Sequence, residues 1–343
     1  MEHRGRDLLR ARMDRQFLLC LLLIPLAAGL ASCGRPSNAA PPARYVTEYG
    51  LGPDKWASAW LLIRHADPSA HLQVVQPGAP LGQGTSFDLP ASALKRTGNQ
   101  STFQTILAKY RVDDPIVATM AGIVYDIEVN YWTPSAEPSA ALIEEAFRSL
   151  QHRYGRDQVT PECYVGFFDR VYQVLQDAQT KSIPITAERL QLSCGELTHL
   201  ALRARELIHE VPIVDLLSAT AAGRKVVYVD VRESDEFAES HLPGALNIQI
   251  RDVTPALREQ LKGADYVVSY CVKDFRGYEM AKALAQVGVE NSVIMRPYGI
   301  KGWIAMGLPV TGNKAMGEVE GQRKFDGCIE SVANCLADAG TQP

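Results

Sequence analysis

Between Lys225 and Val310 short β-branched runs alternate with helix-like segments, and that alternation constrains the fold more than any other feature. Lys225–Val231 (KVVYVDV) and Tyr266–Tyr270 (YVVSY) are near-continuous apolar runs, the pattern of strands covered on both faces. Asp235–Glu239 predicts a short polar helix and Thr254–Leu261 an amphipathic one. Gly277–Val287 predicts a longer helix ending at Gly288, and Ser292–Met295 a last strand. A closing helix begins within Gly299–Trp303. Strands separated by helical crossovers imply an α/β unit with a parallel sheet flanked by helices.

The strand Tyr266–Tyr270 delivers Cys271 to a tight connection, Cys271-Val272-Lys273-Asp274-Phe275-Arg276-Gly277, ahead of a helix. Backbone N–H groups and the helix dipole converge at such a turn, so the sequence predicts a thiolate. Arg276 and Lys273 add positive charge that would attract an anion; Asp274 works against one.

Asp230-Val231-Arg232, Glu236-Phe237, His241-Leu242-Pro243-Gly244-Ala245, Cys271–Arg276, Trp303 and Gly307-Leu308-Pro309-Val310 follow one another in an order that resembles the rhodanese-like domain, over about Leu207–Gly312. The resemblance implies that Cys271 takes sulfane sulfur from a small donor such as thiosulfate. It then passes that sulfur to a thiophilic acceptor such as cyanide or a thiol, and no cofactor is required. The N–H groups of Val272, Lys273, Asp274, Phe275, Arg276 and Gly277 would form the substrate cradle. Arg232 and His241 are expected to be structural, bonding the connection beneath the loop. Tyr298, before Gly299, departs from the Gly-Gly of many members. Related phosphatase-type loops place one more residue between cysteine and arginine than the four here. Two other readings stay open: a thiol redox protein with Cys328 or Cys335 as resolving thiol, and a non-catalytic binding module of an oxyanion or metal response.

The N-terminal half is expected to be mainly helical with a few short strands. Trp56–His65 predicts a helix, Leu72–Val75 and Ser86–Leu89 an extended pair. Ser101-Thr102-Phe103-Gln104 has the form of a capping box opening a helix to Tyr110. Asp114–Trp132, Pro138–Tyr154 and Glu162–Ala178 carry apolar residues at helical spacing. Trp60–Arg64, Phe87–Pro90, Ser101–Phe103, Ile123–Asp126 and Phe168–Tyr172 resemble the chromate-resistance ChrB-type domain. That family tends to carry a His-Glu pair where Lys95-Arg96-Thr97-Gly98 stands here, and an Asp-Asp-His stretch where Arg156-Asp157-Gln158 stands. A metal or oxyanion site at those positions would be lost in this chain. Asp126, Glu128, His152 and Asp157 are explained as groups on partly solvated helix faces, and no metal site is assigned.

At 343 residues the chain has room for two domains and tails. A net charge of −4 offers no basic footprint, so nucleic acid is not expected as a partner. An arginine-bearing start precedes the apolar run Phe17–Leu30, which is short for a spanning helix. Leu30-Ala31-Ser32-Cys33 resembles a bacterial lipobox, implying cleavage, lipidation of Cys33 and a membrane-anchored protein on the periplasm-facing side of the cell envelope. The expected layout is a signal (1–32), a lipidated tether (33–52), a ChrB-like domain (53–180), a connector (181–206), a rhodanese-like domain (207–313) and a tail (314–343). Export leaves Cys163, Cys194, Cys271, Cys328 and Cys335 in an oxidising compartment. Cys163 with Cys194 is one possible pair. On a continuous helix Cys328 and Cys335 would lie ~10 Å apart, too far to bridge unless the helix bends or never forms. Buried free thiols are the alternative.

Overall fold

The computed structural model describes residues 43–195, 208–333 and 335. The lipobox with Cys33, and most of the helix expected over Cys194–Ile208, lie outside them.

The N-terminal domain opens earlier than expected. Arg44–Glu48 (β1), assigned to the tether by its neighbours' composition, is the middle strand of a parallel sheet ordered β2-β1-β3 with His71–Val75 (β2) and Thr85–Ser86 (β3). Tyr45 and Val46 are buried, which the flanking Pro- and Ala-rich stretch conceals. Pro53–Leu61 (α1) runs into a π-helical turn, Leu62–Ala66. Thr102–Tyr110 (α2) has the expected capping box, with Gln104 N donating to Ser101 Oγ and Ser101 N to Gln104 Oε1. Pro115–Glu128 (α3), Ala140–Tyr154 (α4), Pro161–Lys181 (α5) and the short Ala187–Leu190 (α6) complete the domain. Trp56, Trp60, Phe147, Tyr164, Phe167 and Phe168 fill its core.

The C-terminal domain is the expected parallel sheet. His209–Pro212 (β4), Val226–Asp230 (β5), Leu246–Asn247 (β6), Tyr266–Tyr270 (β7) and Ser292–Arg296 (β8) take the order β4-β8-β7-β5-β6, with every pairing parallel. Ile213–Ala221 (α7), Ser234–Glu239 (α8), Ala256–Gln260 (α9), Phe275–Gln286 (α10), Gly299–Ala305 (α11) and Glu318–Glu330 (α12) surround it. Side chains alternate across each strand. Tyr228, Val268, Tyr270 and Val293 face α7, α11 and α12, whereas Val229, Val267 and Cys271 face α9 and α10. β4 is too short and polar to announce itself, whereas α7, with Ile213, Leu216 and Leu217 buried at helical spacing, was legible.

Both cysteine pairs are closed. Cys163 bridges Cys194, and Cys328 bridges Cys335 with a Cα separation of 5.0 Å. The second pair is possible because α12 ends at Glu330. Ser331 leaves helical geometry (φ −146°, ψ 74°), and the chain folds back over seven residues.

Candidate active site

Cys271 follows the last residue of the central strand β7, at the carboxyl edge of the sheet, where open α/β folds bind ligands. Two close backbone approaches build the turn. A Cβ on Gly277 would lie 3.0 Å from Ser269 O and Tyr270 Cα, so α10 can begin directly against β7. Gly299 has φ +62°, and a Cβ there would lie 2.5 Å from Cys271 O and Val272 O. Those carbonyls accept from Ile300 N (2.9 Å) and Lys301 N (3.1 Å), so the start of α11 backs the cysteine loop.

Cys271 is fully buried. Burial pushes its thiol up to about 11, against the opposing pull of the Arg276 charge and the Gly277 N–H; Glu128 and Asp274 push further upward. The expected thiolate is therefore absent from this arrangement. The helix-start N–H and the arginine are present, but loss of solvent outweighs them.

The charged groups expected to meet an anionic donor are otherwise engaged. Arg276 forms a two-pronged pair with Glu236 at 2.9 and 3.0 Å. Burial works against that carboxylate, yet Arg276 holds Glu236 down to about 2. Lys273 donates to Glu144 of α4 at 2.9 Å. Asp274, 1 % exposed, pairs with Arg148 Nη2 at 2.6 Å and with Arg156. Burial opposes its ionisation, but the two arginines keep its carboxyl below the usual range. Asp274 is thus neutralised by the other domain.

Arg232 and His241 are structural, as expected. Arg232 is buried against Asp230 and donates to Ser240 O, and His241 Nδ1 lies 2.8 Å from Phe237 O with the two rings stacked. Asn247 Nδ2 donates to Asp230 O and Arg232 O, closing the connection.

His152 is exposed and Asp157 partly exposed, as expected, but Asp126 and Glu128 are not on solvated faces. Asp126 and Glu128 are buried. Asp126 accepts from Asn130, Ser135 and Glu137 N, and Glu128 pairs with Arg96 at 3.2 Å. Arg96 also reaches Asp54 at 3.0 Å, whose carboxylate accepts the first N–H groups of α2, from Thr102 and Phe103. Burial lifts Asp54 to about 6 despite Arg96. Asp157 pairs with Lys282 of α10. Among the described residues no group of three or more His, Cys, Asp or Glu is arranged to hold a metal.

The sequence missed the seam between the domains. Phe275, Tyr278 and Ala281 of α10 and Ile294 of β8 belong to the N-terminal apolar core. Met280 and Leu284, on the opposite side of α10, pack on the sheet. Apolar residues around more than one helix face signal burial from both sides; that pattern in Phe275–Leu284 was legible. Glu279 Oε1 accepts from Leu51 N, Asp235 from Gly98 N (3.2 Å), and Lys301 Nζ donates to Asp126 O (2.8 Å).

Comparison with known proteins divides the chain at the same place. Residues 45–175 match the family described as ChrB, C-terminal domain, and residues 214–306 match the rhodanese-like domain. A curated sulfurtransferase from Allochromatium vinosum is 29% identical over 104 residues, 30% of this chain and 95% of that protein. Among solved structures, a thiosulfate sulfurtransferase from Pseudomonas aeruginosa is 12% identical, covering 82% of this chain and 61% of that one, with a TM-score of 0.28. An uncharacterised protein from Saccharomyces cerevisiae is 25% identical, covering 29% and 93%, with a TM-score of 0.25. Two segments of the chain thus match a ChrB C-terminal domain and a rhodanese-like domain, in that order.

Proposed function

We propose that this protein is a sulfurtransferase working through a Cys271 persulfide, lipid-anchored at the cell envelope and serving chromate or related oxyanion stress. One observation carries the chemistry. Cys271 sits where β7 ends and α10 begins, with Gly277 packed against Tyr270 and the Arg276 charge pulling the thiol toward ionisation, so a negative sulfur there meets a helix start and a counter-charge. In the first half-reaction the Cys271 thiolate attacks the sulfane sulfur of thiosulfate. The donor S–S bond breaks, sulfite leaves with its electron pair, and Cys271 carries the new terminal sulfur. Cyanide or a thiolate then attacks that sulfur, and Cys271 departs as thiolate.

Two disulfides support an oxidising compartment, and with it the reading of Cys33 as a lipid anchor. The match to the ChrB C-terminal domain supports the link to oxyanion stress. A thiol redox role is disfavoured, because Cys328 and Cys335 bond each other and Cys271 is the free cysteine among the described residues. Full burial of Cys271 favours a second reading, a binding protein in which the thiol is silent. Intact-mass measurement after incubation with thiosulfate separates the two. The first expects a gain of one sulfur atom, reversed by cyanide and absent in Cys271→Ala; no gain with thiosulfate, mercaptopyruvate or polysulfide leaves the second.

A further inference from the structure

Three consecutive residues of the cysteine loop are engaged by one face of one helix from the other domain. Lys273 donates to Glu144, Asp274 pairs with Arg148, and the Phe275 ring meets Phe147 edge-on at 5.9 Å between centroids. Glu144, Phe147 and Arg148 are spaced i, i+3 and i+4 on α4, so they project side by side. The fit is specific at Arg148, whose guanidinium sits between the rings of Phe275 (4.4 Å) and Tyr298 (4.5 Å) while it pairs with Asp274. Arg156, just beyond α4, adds the second charge to Asp274 and lies over Tyr278 at 4.5 Å. Asp274 makes no side-chain cap to α10, although it occupies the position before that helix. Its carboxylate serves the seam instead.

We infer that α4 is a built-in lid, holding the Cys271 loop shut through Asp274 and withdrawing before a sulfur donor or acceptor reaches the thiol. In the closed arrangement Cys271 has no exposed surface, so the reaction has no approach. The charged contacts that close it are of a kind water can replace: Lys273, Asp274, Glu144 and Arg148 resolvate on separation. Opening also uncovers apolar surface, Phe147 on one side and Phe275 and Tyr278 on the other, which holds the closed arrangement as the resting one. Seams of mixed polar character between domains permit relative motion. Closure itself stands on geometry; its consequence, control of sulfur transfer, rests on the proposed activity.

The test is the rate at which a small neutral reagent, iodoacetamide, modifies Cys271 in the full chain, read by peptide mass at that residue. Wild type should label far more slowly than the urea-unfolded chain. Asp274→Asn, and separately Arg148→Gln with Arg156→Gln, should raise the rate by about tenfold or more, since each removes a partner from a buried pair. Lys282→Gln at the partly exposed rim of the seam guards against variants that fail to fold, and should raise the rate less while circular dichroism stays native. Wild-type labelling at the unfolded rate overturns the lid, and so do natively folded latch variants that label no faster than wild type. Sulfur loading from thiosulfate is measured on the same samples. Faster labelling with no loading supports the lid and counts against sulfur transfer; loading in wild type at the latch-variant rate overturns the lid and leaves sulfur transfer standing.

Discussion

Raising the pH should awaken Cys271 over a range where an ordinary thiol has stopped responding. Burial lifts the group from 9.0 to about 11, against the pull of Arg276 and the Gly277 N–H. That displacement corresponds to about 3 kcal/mol, and it lowers the thiolate share at neutral pH roughly a hundredfold. Alkylation follows the thiolate. The rate at Cys271 should therefore climb about tenfold per pH unit from ~7 to ~10, whereas the same chain in urea should level off near ~9. The folded state favours the protonated thiol, so stability is undiminished below 9 and falls as pH rises through about 11. Cys271→Ala should remove that alkaline loss, visible as about 3 kcal/mol less destabilisation by urea titration at high pH. A native profile that plateaus at or below the unfolded one refutes the burial argument, because the thiol would already be solvated.

Two further outcomes follow from the seam and the loop backing. Burial raises Glu279 to about 7, offset in part by the Leu51 N–H and Lys55 and reinforced by Glu128 and Asp88, so stability falls as pH rises through about 7. Glu279→Gln keeps an acceptor for Leu51 N, and should raise the melting temperature above pH 7 by the equivalent of about 1–3 kcal/mol while flattening the slope between pH 4.5 and about 7; an unchanged slope in that window contradicts it. Gly299→Ala forces a side chain onto the carbonyls of Cys271 and Val272 at positive φ, and should cost about 2–4 kcal/mol in urea unfolding. A fully stable Gly299→Ala contradicts the close approach.

The sheet was legible because its strands are covered on both faces and so spell themselves as unbroken apolar runs, KVVYVDV and YVVSY. The cysteine loop was legible because a strand end, a glycine and a helix start must coincide to make it. What the sequence hid is which groups the loop faces. Lys273, Asp274 and Arg276 read as a mixed-charge anion site, since nothing local shows that Glu144, Arg148, Arg156 and Glu236 are waiting for them across long sequence separations. β1 was hidden by the Pro-rich stretch before it, and the Cys328–Cys335 bridge by a helix that stops at Glu330, between the two cysteines. The positions where the chain departs from its two family patterns are informative in retrospect. Arg96, Arg156, Asp157 and Tyr298 all make charged or ring contacts within or beside the seam. Of the residues that looked like a lost site, Arg156 and Asp157 bridge the domains, whereas Arg96 braces Asp54 and Glu128 within its own.

Closure also bears on how a reactive thiol survives. Cys163, Cys194, Cys328 and Cys335 are oxidised in pairs, and Cys271 is not. Exchange and oxidation both proceed through the thiolate and need access to the sulfur. Burial removes the access and, by lifting the thiol to about 11, the thiolate as well. The arrangement that makes the loop inert toward a donor therefore makes it inert toward oxidants and neighbouring disulfides. A permanently open loop would gain reactivity and lose its thiol in an oxidising compartment; a permanently closed one would keep the thiol and never use it. Sulfur transfer through Cys271 in such a compartment requires a loop that spends most of its time shut, and the charged face of α4 supplies a contact that can both hold and release.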